Sequence, residues 1–203
     1  MQGRMTFVAA FHTFTIELNH SDRNIYTNFR LKVPRHELEP HEHFYARLIA
    51  YTHAYRSGIE FTQGALNSKE ATIVYQDEVG TLHLSAHVGA PEKRKLELSL
   101  KQHADAEHRI YLYDDHDLSL FCHHLRGSST NWVENVLFYR IDQEFLTNLI
   151  ELESSSPRWN ISFIDDRLYL TVDGVELESE IVPIDIWSEF QRSLEKHQAA
   201  DAG

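Results

Sequence analysis

Fourteen histidines stand among the 203 residues, and this number raises the question of metal binding. Residues two apart on a strand share a face, so His83, Ser85 and His87 line one face of a predicted strand. His83 and His87 are then about 13 Å apart, which is too far for both to bind one metal ion directly. His41 and His43 lie on different faces of a predicted helix start. We therefore interpret the histidines as structural or solvated side chains.

Three carboxylates form a second group that could do chemistry. Glu39 and Glu42 fall at a predicted helix start, and Asp77 falls in a predicted turn. Because Mg²⁺ takes one or two carboxylates plus water, these residues could serve a metal-dependent hydrolase. Acidic side chains at a helix start are also explained by the helix dipole. Spacing alone therefore leaves this metal site open.

Other sequence signatures exclude several enzyme classes. The sequence contains no G-x-S-x-G elbow, P-loop or dinucleotide fingerprint. The single cysteine, Cys122, excludes an internal disulfide framework and a Cys-based zinc cage, and we interpret it as a core residue. Lys93, Arg94 and Lys95 are typical of a solvated helix face. The net charge of −12 disfavours unassisted binding to the phosphate backbones of nucleic acids.

The elements that must position these residues alternate between strands and helices. Strands are predicted over 7–18, 26–33, 72–75, 82–88, 109–113, 135–141, 159–164 and 167–172, and helices over 37–58, 92–106, 118–125 and 142–150. This alternation predicts a single α/β or α+β domain over residues 1–187. A polar C-terminal tail over residues 188–203 is expected to fray.

Targeting and membrane signals are not found in the sequence. No segment reaches the roughly 20 apolar residues of a membrane span. The N-terminal apolar run is cut short by His12 and Thr13, so it lacks the apolar core of a signal peptide. The sequence therefore predicts a cytoplasmic protein with no membrane partner.

Several short segments, in order, resemble the YaeQ family of bacterial proteins over about residues 6–187. They include the turn Asp22-Arg23-Asn24, the helical segment with Arg35-His36, Glu39, Glu42 and Arg47-Leu48-Ile49-Ala50, the segments 61–66, 77–80, 88–91 and 164–170, and Trp187. The resemblance implies a restriction-endonuclease-like core of the PD-(D/E)XK type. In that core a mixed β-sheet is flanked by helices, and the hairpin near 72–88 is expected to lie centrally in the sheet.

The resemblance also implies where a catalytic site would lie. In such cores a glutamate on the first helix and acidic residues on a hairpin hold a divalent cation, and a lysine assists the attacking water. Glu42 matches the helix glutamate, with Glu39 nearby, but Thr72 and His87 occupy the positions of the two hairpin acids. We expect Glu42, Thr72 and His87 to cluster around one shallow pocket.

The lysine of the family pattern falls at Leu98, and Lys95 stands where the family has an arginine. The vestigial-site candidates are therefore Glu39, Glu42, Thr72, His87 and Lys95. The resulting hypothesis is a catalytically degenerate protein on a nuclease-like scaffold, for which the sequence identifies no cofactor and which acts by binding an unidentified protein partner. Nucleic acid stays open as a partner, although the net charge disfavours it.

Two enzymatic alternatives remain open. The first is a nuclease that has rebuilt its site around Glu42, Asp77 and His87 and holds a divalent cation such as Mg²⁺, Mn²⁺ or Zn²⁺. Of these cations, the neutral imidazole of His87 favours the softer ones. The second is a zinc-dependent hydrolase that uses the histidines.

Overall fold

The computed structural model describes residues 10–62, 69–125, 133–154 and 156–201. In chain order the strands are β1 (Ala10–His20), β2 (Ile25–Arg35), β3 (Glu60–Phe61), β4 (Ile73–Gln76), β5 (Leu82–Val88), β6 (Glu107–Leu112), β7 (Val136–Ile141), β8 (Arg158–Ile164), β9 (Arg167–Val172) and β10 (Val175–Pro183). The helices are α1 (His41–His53), α2 (Lys93–Gln102), α3 (Asp115–Leu125), α4 (Gln143–Glu151) and α5 (Ile186–Asp201). This is a mixed α+β fold, as predicted.

The described residues form two compact units. The first unit contains the described parts of Met1–Tyr45 and Gln143–Glu180, and the second contains those of Ala46–Asp142 and Ile181–Gly203. Helix α1 begins in the first unit and continues into the second. The assignment of residues 1–187 to one domain stays a prediction.

The sheet of the first unit has the strand order β2-β1-β8-β9-β10. Strands β1 and β8 are parallel, and the other neighbours are antiparallel. Alternation decides which face is buried: Phe14 and Ile16 are buried, whereas Thr15 between them is exposed. The ring of Phe14 contacts that of Trp159 edge-to-face, at 5.1 Å between ring centres. One face of this sheet is therefore core and the other is open to solvent.

The sheet of the second unit has the order β7-β6-β5-β4-β3, and the end of β10 pairs with β7. Strands β5, β6 and β7 are parallel, and nearly all of β6 is buried because both faces of a parallel sheet are covered. On one face Ile110 packs in an apolar cluster with Leu96 of α2 and Phe121 of α3. The predicted hairpin is confirmed as β4–β5, but it lies toward one edge rather than centrally, since β3 is the only described strand beyond it.

The C-terminal segment differs most from the prediction. Where the sequence predicted a fraying polar tail over 188–203, the described residues Ile186–Asp201 form α5. Ile186 and Phe190 of this helix are buried in the apolar cluster of the second unit, and Leu194 packs against it. Their spacing of four residues is that of one helix face. Strand β10 was also missed, although its glutamates at every second position alternate with less exposed residues.

The predicted helix over 37–58 is shorter in the structure, because Glu37 and Glu39 belong to the turn that precedes α1. The predicted hairpin of β8 and β9 is confirmed. Its two-residue turn, Asp165-Asp166, has positive φ at both residues, as the right-handed twist of the strands favours. No helix within the described ranges is both long and apolar enough to span a membrane.

Candidate functional site

Thr72 and His87 lie opposite each other at one end of the β4–β5 hairpin. Ile73 pairs with Ala86, so Thr72 and His87 are the next residues outward on the two strands. The backbone N–H of Thr72 donates to the carbonyl oxygen of Ala86 at 2.8 Å, and Thr72 Oγ1 accepts the N–H of Val88 at 3.1 Å. The structure thus brings together the two hairpin positions singled out by the resemblance. The threonine hydroxyl thus adds a hydrogen bond between the two chain segments at this end of the hairpin.

His87 is buried beside a second buried histidine. Ser85 and His87 share a face of β5, and on the adjacent β6 His108 pairs with Ser85. Burial, followed by charge repulsion from His108, lowers the pKa of His87 to about 4. The Nε2 atom of His108 lies 3.0 Å from the carbonyl oxygen of His103. His87 is therefore neutral near pH 7, and its environment penalises a positive charge.

Asp77 is engaged in the turn at the opposite end of the hairpin. Its Oδ1 accepts the backbone N–H groups of Val79 and Thr81 at 3.0 and 2.8 Å, and its Oδ2 lies 2.9 Å from His83 Nε2. The bond to His83, followed by the bond to Thr81, lowers the pKa of Asp77. His83 and His87 are about 13 Å apart along one strand. The structure therefore does not bring Asp77 and His87 together.

Lys95 lies on α2, on the solvent side. The buried face of this helix is formed by Leu96 and Leu100, whereas Lys95 and Leu98 are exposed. The position of the family lysine is thus an exposed leucine, and Lys95 extends from the same open side of the helix.

Glu39 and Glu42 belong to the first unit. The Glu39 side chain is fully buried, and its Oε1 lies 2.8 Å from Nδ1 of His43, one helical turn later. Glu42 is half-buried in the first turn of α1. Thr72 and His87 belong to the second unit, so the clustering of Glu42 with them stays a prediction.

The hairpin does not fit the hard-cation site that the resemblance implies. Mg²⁺ prefers carboxylate and carbonyl oxygens, but the two matching positions carry a hydroxyl and a buried imidazole. The Thr72 hydroxyl already accepts a backbone hydrogen bond. In the part of the chain that the structure describes, no three or more His, Cys, Asp or Glu side chains form a group able to hold a metal ion.

A buried polar network on β6 was missed by the sequence analysis. Arg109 Nη1 donates to the hydroxyl of Tyr111 at 3.2 Å, and that hydroxyl lies 2.8 Å from Nδ1 of His53. Glu107 accepts hydrogen bonds from Arg109 Nε and, at 2.9 Å, from Arg56 Nη2. Burial raises the pKa of Tyr111 to about 12, so its hydroxyl stays protonated. The alternation of Glu107, Arg109 and Tyr111 was the available signal, since these side chains share one face of a strand.

Comparisons with known proteins agree on one family. The model of the family described as YaeQ protein matches residues 5–181. A crystal structure of YaeQ protein from Pseudomonas syringae has a TM-score of 0.73 at 19% identity, covering 87% of this chain and 96% of that chain. The YaeQ protein from Xanthomonas axonopodis pv. citri has a TM-score of 0.75 at 17% identity, with 87% and 97% covered.

At identities this low, the structural likeness shows the fold alone. A comparison with curated proteins gives no match. The family model, by contrast, covers most of the sequence, including all the segments that carry the resemblance except Trp187. The chain belongs to the YaeQ family.

Proposed function

We propose that this protein does not hydrolyse phosphodiester bonds and acts by binding a protein partner. The observation that carries the proposal is the chemistry of the paired positions Thr72 and His87. Hydrolysis with a hard cation needs carboxylates to hold the metal, which in turn activates water and stabilises the developing charge. A hydroxyl committed to the N–H of Val88 and a neutral, buried imidazole supply neither a carboxylate nor a negative charge.

We propose further that the second unit has a restriction-endonuclease-like core. Its chain order supports this assignment: the end of α1 is followed by the antiparallel strands β3, β4 and β5, then by α2, and then by β6 parallel to β5. A cytoplasmic location is part of the same proposal, and the single cysteine, which is buried and in no disulfide, is consistent with it.

The alternative nuclease with a site at Glu42, Asp77 and His87 is less well supported. Asp77 lies at the other end of the hairpin from His87, and both its oxygens are engaged within the turn. One cation cannot contact both residues.

We expect the purified protein to leave supercoiled DNA and single-stranded RNA intact in the presence of Mg²⁺ or Mn²⁺. Gel electrophoresis over an extended incubation measures nicking, with a no-protein sample as the blank. Metal-dependent nicking that disappears in both Glu42→Ala and His87→Ala would overturn the proposal. Crosslinking in the native cell then tests whether a second protein is recovered together with this one in equimolar amount.

Restoring acids at the hairpin is expected to create a cation site. The double variant Thr72→Asp/His87→Glu places two carboxylates on adjacent strands, and we expect its Mn²⁺ affinity to exceed that of the parent at least tenfold. Calorimetric titration measures the affinity, and a rise of the melting temperature with Mn²⁺ gives a second readout. The isosteric pair Thr72→Asn/His87→Gln is the matched control. Equal Mn²⁺ affinities for the two double variants would show that the two positions do not converge on one ion.

A further inference from the structure

The open face of the first unit's sheet carries a row of polar side chains. The strand register places Asn28, Glu17, Asn160 and Thr171 side by side across β2, β1, β8 and β9. These side chains border a depression of about 600 Å³. Among the described residues, none of the four side chains takes part in a hydrogen bond or an ion pair. Their donors and acceptors are therefore available to a ligand or to solvent.

A second row on the same face is positively charged. Thr15 on β1 pairs with Arg30 on β2 and with Arg158 on β8, so two arginines flank one hydroxyl. Their Cα atoms are about 10 Å apart, since each strand spacing is about 4.8 Å. Neither guanidinium forms an ion pair with any residue of the described ranges, although the net charge of the chain is −12. Like charges this close repel each other, and an anion between them would relieve that repulsion.

We propose that this face binds a phosphorylated sugar. Arginine recognises phosphate through paired N–H donors, so the phosphate lies between Arg30 and Arg158, where the Thr15 hydroxyl also donates to it. The row with Glu17 is two residues further along each strand, about 7 Å away. This spacing suits the hydroxyls of a sugar that carries the phosphate. The Glu17 carboxylate accepts hydroxyl protons, and the two asparagine amides both donate and accept.

The charges around the depression favour a ligand with a single phosphate over a nucleic acid strand. Glu17 lies in the middle of the face, and three exposed glutamates on β10, Glu176, Glu178 and Glu180, line its far edge. Asp173 borders the depression beside Arg158, and its carboxylate accepts the Arg158 backbone N–H and the Ser154 hydroxyl at 3.0 and 3.1 Å. Successive phosphates of a strand that crossed the face would meet these carboxylates. A phosphorylated sugar places its one anionic group on the arginines and its neutral hydroxyls toward the acids.

Calorimetric titration of the full chain tests the proposal with four probes. These are glucose 6-phosphate, adenosine 5′-monophosphate, glucose and inorganic phosphate. At least one of the two phosphorylated sugars is expected to bind at least tenfold more tightly than both glucose and inorganic phosphate. Whichever of the two binds more tightly shows whether the ligand is a hexose phosphate or a nucleotide. The proposal is overturned if inorganic phosphate binds as tightly as both phosphorylated sugars. It is also overturned if neither phosphorylated sugar binds at millimolar concentration.

Substitutions separate the two rows. Arg30→Gln and Arg158→Gln are each expected to weaken binding of the phosphorylated probe at least tenfold. Glu17→Gln should weaken that probe several-fold without weakening inorganic phosphate. Arg167→Gln is the control, because Arg167 is an exposed arginine of the same sheet that is already paired with Glu178 at 2.6 Å. Unchanged affinity in Arg30→Gln, or an equal loss in the control, would contradict the assignment.

All the substituted side chains are exposed, so the fold is expected to survive, and circular dichroism checks it. The proposed site lies wholly in the first unit. The result of the binding experiment is therefore independent of whether the hairpin with Thr72 and His87 hydrolyses nucleic acid.

Discussion

Lowering the pH from 6.5 to 4 is expected to remove about 3 kcal/mol of folding stability through one side chain, His87. Its pKa is about 4 in the folded protein and 6.5 in the unfolded chain. Between these values the unfolded chain binds a proton that the folded protein does not, so protonation favours unfolding. The loss begins as the pH falls below 6.5 and is complete near pH 4. It arises because a charge at this position would be buried beside His108.

Urea unfolding at several pH values between 7.5 and 4 measures this contribution. Other groups titrate in the same range, so the informative quantity is the difference between the protein and its His87→Leu variant. We expect His87→Leu to lose about 3 kcal/mol less than the parent over the range. The control is His116→Leu, which replaces an exposed histidine of α3. If the parent and His87→Leu showed the same pH dependence, the pKa of His87 would have to be the same in the folded and unfolded states, which would contradict the prediction.

Replacing Glu107 by glutamine is expected to destabilise the protein by about 2–3 kcal/mol. The substitution removes the carboxylate that faces Arg109, whose side chain is only 10% exposed. An unpaired charge is left inside the protein, and it cannot be fully hydrated there. The expected loss lies below that for a fully buried pair, since Glu107 itself is 31% exposed and solvent screens part of the interaction.

A double-mutant cycle tests whether this cost comes from the uncompensated arginine. In Glu107→Gln/Arg109→Met the charge itself is gone, so we expect the double variant to lose about 1–2 kcal/mol less than the sum of the single losses. Denaturant unfolding at pH 7 measures all four proteins. Glu178→Gln breaks the exposed pair with Arg167 and is expected to have no measurable effect. Additive losses around the cycle would show that Glu107 and Arg109 do not interact energetically.

The sequence was sufficient for elements whose signal is local. The β8–β9 hairpin was predicted because apolar residues alternate on both sides of Asp165-Asp166, and its register follows from that turn. Helix α5 was not predicted, because the polar residues around Ile186, Phe190 and Leu194 favoured a solvated tail, although these three apolar residues recur at the spacing of one helix face. Their helical face is stabilised by the apolar cluster, a tertiary contact that no local pattern reports.

Prediction of the candidate site was limited by long-range contacts in the same way. The resemblance paired Thr72 with His87 correctly, because two adjacent strands of a hairpin are linked by a short turn. The role of Asp77 could have been inferred as well, since an aspartate at a turn often accepts nearby backbone N–H groups. The bond between His53 and Tyr111 joins residues 58 positions apart, so only the folded chain reveals it.

The division of the chain into units also determines the order in which the protein can form during synthesis. The first unit combines an N-terminal segment with Gln143–Glu180, and the second combines the interval between them with the segment that follows Glu180. Strand β1 pairs with β8, for example at Thr15 and Arg158. At a synthesis rate of 5–20 residues per second, β8 is made roughly 7–30 s after β1. During that interval Phe14 and Ile16 lack the core that covers them, and the nascent chain is exposed to aggregation. No single cut of the polypeptide releases either unit complete.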